Sequence, residues 1–89
     1  MRQPPEFFGD HDLALVYIAK KLREAQALES LLSAKHIDYL VEPDTYMGGF
    51  LFFKQRTGAF FYVDPSQEES VRELLLANRY QPYQPTFET

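Results

Sequence analysis

One stretch limits the fold of this chain more than any other: Leu22 to Ile37, LREAQALESLLSAKHI. Ala25, Leu28, Leu31 and Leu32 recur three and four residues apart. On a helix they form one apolar stripe, with Arg23, Glu24, Glu29 and Lys35 off it. A stripe of this kind needs a surface to bury it. The flanking segments offer one, because they are short aromatic and β-branched runs that read as strands.

In order, residues 1–11 form a polar, proline-containing arm in which Phe7 and Phe8 can tuck against the body. Asp12 to Ala19, DLALVYIA, is the first expected strand, apolar on both alternating faces and so expected to be covered on both. The first helix starts near Leu22 with a poor cap, since Lys20 and Lys21 stand where Ser or Asp would help. Its end is better marked. With His36 left-handed, Leu32 and Ile37 become the apolar pair of a Schellman ending.

Ile37 to Glu42 is a second strand, ended by Pro43-Asp44, and Thr45 to Gly49 is a loop. Residues 50–53 read as a short edge strand or an extension of the previous one. Lys54 to Gly58 reads as a hairpin connection and residues 59–63 as a central strand. Asp64 or Ser66 caps a second helix that runs to about Ala77, with Val71, Leu74 and Leu75 inward and Asn78 as a left-handed stop. Residues 80–89 form an extended tail with two prolines, free or docked on a neighbour.

The expected order is strand, helix, strand, strand, helix. That is an α+β two-layer sandwich, an antiparallel sheet with two helices on one face, expected to be ferredoxin-like over residues 12–79. Eighty-nine residues with 45% hydrophobic and 16% aromatic content suffice for one packed domain. A net charge of −4 argues against a general polyanion binder. With no Cys, disulfides and thiolate metal sites are excluded. No run reaches the length of a bilayer span and the first residues do not read as a secretory signal, so a cytoplasmic protein without membrane contact is expected.

Glu24-Ala25, Leu28, Leu31-Leu32, Ile37, Val63, Glu68-Glu69 and Arg72-Glu73-Leu74-Leu75, in this order of elements, resemble a small bacterial domain family described as signal transducing. The resemblance spans about residues 13–76, and His36 stands where that family usually has Gly. It implies a ferredoxin-like fold distantly similar to the nitrogen-regulatory PII proteins, and a regulatory role without catalytic residues. The phosphate-contacting features of PII proteins have no counterpart in this chain.

Candidate function lies first on the sheet face turned from the helices. If Val16, Ile18, Phe61 and Val63 face the helices, then Leu15, Tyr17, Phe60 and Tyr62 lie on the other side, with Tyr39 or Leu40 according to register. Soluble monomers seldom expose such a patch. A second copy of the chain, its own arms or a ligand would cover it, and a homodimer is the leading expectation. The candidate binding residues are Tyr17, Tyr39, Phe60 and Tyr62 on the sheet, and Tyr46, Met47, Phe50 and Arg56 in the loop and hairpin.

The expected function is a non-catalytic regulatory or binding module that recognises a protein or small ligand, with no cofactor. The alternatives are an RNA-recognition sheet or a small dimeric α+β enzyme. For RNA, Val16-Tyr17-Ile18 fits a first-strand motif, and Lys20, Lys21, Arg23, Lys54 and Arg56 could form a basic rim. Thr57, Gly58, Phe61 and Val63 break the third-strand motif, so nucleic acid is disfavoured. Asp10-His11-Asp12 is the one possible metal cluster, but neighbours on a flexible segment rarely converge, so no metal is expected. No Cys is present and no Ser sits in a nucleophile elbow.

Overall fold

The computed structural model describes residues 1–9, 12–48 and 54–84. Strand β1 (Ala14–Ala19) leads into helix α1 (Leu22–Ala34), then strands β2 (Leu40–Gly48) and β3 (Lys54–Val63) and helix α2 (Glu68–Ala77). The sheet is antiparallel with order β1-β3-β2, so β3 is central as expected. The chain is α+β, and both helices pack on one face of the three strands. Ala25, Leu28 and Leu32 of α1 and Val71 and Leu75 of α2 share a buried core with Val16, Ala19, Tyr39, Phe61 and Val63. None of the described helices is long and apolar enough to cross a membrane.

The helix ends follow from local chemistry. α1 begins without a side-chain cap at Lys21, and Glu24 reaches back to accept the Lys20 N–H at 3.1 Å. It stops as a Schellman motif with His36 at φ 58°. Ile37 N–H donates to the Leu32 carbonyl and His36 N–H to that of Ser33, both at 3.0 Å. α2 is preceded by a 3-10 turn, Pro65–Gln67, capped by Asp64, which accepts from the Ser66 amide at 3.0 Å. Its stop lies one residue later than expected. Arg79, not Asn78, takes the positive φ of 66°, and the Tyr80 and Arg79 N–H groups donate to the Leu75 and Leu76 carbonyls at 2.9 and 3.1 Å.

Three expectations about the strands are corrected. Pro43-Asp44 does not end β2. Among the described strands it pairs only with β3, and an edge strand of this kind tolerates a proline, here opposite Ala59. Lys54 to Gly58 is not a connection but the first half of β3, opposite Gly48 to Asp44. Its polarity reflects a two-stranded ribbon with exposed residues on both faces. The expectations for residues 50–53 and for Asp10-His11 lie outside the described residues.

The third correction concerns β1. Ala14 and Leu15 face Val63 and Tyr62, whereas Tyr17, Ile18 and Ala19 face Phe61, Phe60 and Ala59. Val16 is therefore an extra residue, a β-bulge, and alternation restarts after it. Tyr17 moves to the helix side beside Phe61, and Ile18 to the far side beside Phe60.

Residues 1–3 and Tyr83 hydrogen-bond to the margins of the sheet. Gln3 N–H donates to the Tyr39 carbonyl at 2.8 Å and Tyr39 N–H to the Met1 carbonyl at 3.1 Å. At the opposite margin Tyr83 N–H donates to the Val16 carbonyl at 2.7 Å, and Arg72 holds the Tyr83 carbonyl at 2.7 Å.

Candidate functional site

A hollow lies on the helix side, where the β2–β3 hairpin leaves the shelter of α1. The pairings of β3 set Ala59 between Ala19 and Pro43. Two residues along β2 lies Val41. Above this row stands the first turn of α1, and its inward residue there is only Ala25, whereas the later turns bring Leu28 and Leu32. Small side chains above and below leave a groove of about 470 Å3. Ala19, Ala25, Val41, Pro43 and Ala59 make its apolar floor.

Its rim is basic. Arg2, Lys20 and Lys21 line it, against one carboxylate, Glu29. Glu29 is already engaged, accepting the Tyr39 hydroxyl at 3.0 Å and lying 3.9 Å from the Arg2 guanidinium. Lys20 extends over the Tyr46 ring, 5.5 Å from its centre. Lys21 has no partner among the described residues. In a chain of net charge −4, this is a local excess of positive charge over an apolar surface. Gly58 backs the groove. A Cβ there would stand 3.0 Å from both Ile18 and Tyr46 and 3.1 Å from the Ala19 carbonyl, so a bare backbone lets Tyr46 cross β3 toward Lys20.

The candidates read from sequence are divided between the two faces. Tyr17 packs edge-on against Tyr80, ring centres 5.4 Å apart, on the helix side. Burial, with a hydrogen bond to Glu24, pushes its phenol up to about 12. Tyr39 is 2% exposed in the core, and burial raises its phenol despite the bond from Ser33. Tyr46 and Arg56 are cross-strand partners on the ribbon. With Phe60 and Tyr62 they occupy even positions of the hairpin and so share the far face. The Met47 backbone pairs with Gln55, and Phe50 lies outside the described residues.

The far face is partly covered by the chain itself. Leu40 and Phe60 are each only 7% exposed, as is Phe8 of the N-terminal segment, and none of the three belongs to the helix-side core. The register answers the choice left open by sequence: Leu40 joins this face and Tyr39 the other. Tyr62 is half-buried beside a smaller hollow of about 310 Å3 lined by Asp12, Leu13, Leu40 and Glu42. Burial raises its phenol, with the Asp44 and Glu42 carboxylates adding to the shift.

The groove residues Ala19, Ala25, Pro43, Thr57 and Ala59 were not legible as a site. The available signal was the Lys20-Lys21 pair, placed where a helix start is better served by Ser or Asp. No known protein family, curated protein or solved structure matches the chain. Among the described residues no group of three acidic or His side chains is placed to hold a metal ion.

Proposed function

We propose that this chain is a non-catalytic regulatory module that binds a small ligand in the groove between α1 and the hairpin. The observation that carries the reading is the groove itself: an apolar floor of small residues under Arg2, Lys20 and Lys21, with a volume in the range of small-molecule sites. The fold is read as a ferredoxin-like sandwich in which residues 80–84 hold the place of a fourth strand beside β1. The strand order β1-β3-β2 and the bond from Tyr83 to Val16 support that reading. The acting form is proposed to be a dimer through the far face, where Leu13, Leu15, Ile18 and Tyr62 are half-buried.

The test is a fragment screen followed by amide NMR. Binding should shift the amides of Ala19, Lys21, Val41, Thr57 and Ala59 together. Ligands whose shifts map to the far face instead, or a library without hits, would remove this reading.

A further inference from the structure

We infer that the groove selects an amphipathic anion, a molecule with one carboxylate head and an apolar body. This rests on the groove being the binding site. The head belongs at the rim. Arg2 lies 3.9 Å from Glu29 and Lys20 lies over the Tyr46 ring, so Lys21 is the lining cation with no side-chain partner among the described residues, and Lys20, held only by a ring face, is the second. Lysines are compact charges on flexible stems, so they can close on a head group without a fixed bidentate geometry. The hydroxyl of Thr57, also unpartnered among the described residues, lies on the same lining and can donate to a carboxylate oxygen.

The body belongs on the floor. Ala19, Ala25, Val41, Pro43 and Ala59 offer no side-chain donor or acceptor, so a polar body would lose its water there without replacement. A wholly apolar ligand would gain nothing from the lysines. A small hydrophilic anion would use only the rim.

Octanoate below its micellar concentration is the first probe, with octanol as the neutral match and acetate as the head alone, each read by amide shifts at Ala19, Ala25, Gly58 and Ala59. Octanoate should shift these residues and bind at least about tenfold more tightly than octanol or acetate, a difference of about 1.4 kcal/mol. The double variant Lys20→Glu, Lys21→Glu should lose at least that factor for octanoate and little for octanol. Both lysines are exposed, and a dispersed amide spectrum verifies the fold of the variant. Equal binding of octanoate and octanol in the groove would overturn the anion and leave the groove standing. Equal binding of acetate and octanoate would overturn the apolar body. If no probe shifts the groove amides, the inference and the binding site fail together.

Discussion

Leu28 shows no accessible surface and sits where α1 meets the sheet. Leu28→Ala removes buried methyl groups and leaves a cavity, so a loss of about 2–5 kcal/mol in denaturant melts is expected; a loss below about 1 kcal/mol would contradict this packing. Gly58 is the opposite case, a site where an added methyl would press on the Ile18 and Tyr46 side chains and on the Ala19 carbonyl, which is backbone. Gly58→Ala should cost about 1–3 kcal/mol and lift Tyr46 from its place beside Lys20, visible as a changed Tyr46 ring environment in NMR. Tyr17 gives a pH dependence. Its phenol holds its proton to about 12 when folded and releases it near 10, its ordinary value, when unfolded. The folded state therefore binds the proton more tightly, its contribution is complete below pH 10, and it is lost as the pH rises from 10 to 12. Wild type should lose stability over that window more steeply than Tyr17→Phe.

Among the elements, the α1 stop is the most legible, and it is also the simplest to improve. His36 holds φ 58°, a region that costs an L side chain and not glycine. His36→Gly should therefore stabilise by about 0.5–1 kcal/mol, read as a rise in Tm of a few degrees. That stop could be read in advance because its parts, Leu32, His36 and Ile37, lie within six residues. Features set by a distant partner could not. The bulge at Val16 exists only relative to β3, so nothing in LALVYIA announces it, and plain alternation puts Tyr17 on the face opposite to the one it takes. The polar first half of β3 had no buried face to mark it as a strand, since no third layer covers the ribbon. The groove is harder still to foresee. It forms when two strand pairings and one helix turn bring small residues into register, and small residues leave no hydrophobic signal of their own. The lysines were visible; the floor beneath them was not.

For the whole molecule, the question is what covers the far face. The chain itself covers Leu40 and Phe60, which leaves Tyr62 as the position to test for self-association. Light scattering across a dilution series should give twice the chain mass of 10.4 kDa for wild type and the single mass for Tyr62→Arg. A wild-type monomer at every concentration would remove the proposed dimer and leave the groove untouched. The two hooked segments, at residues 1–3 and at Tyr83, carry a different consequence. One is hooked to Tyr39 at the start of β2, the other to Val16 of β1, on opposite margins of the sheet. Tension applied between these two segments would meet the hooks first, each only one or two backbone bonds deep, before it reached the central strand. The molecule would then yield in two stages: one that unclips the margins, and one in which Ala14 and Val63, paired at the same end of β1 and β3, are drawn apart and that ladder opens bond by bond.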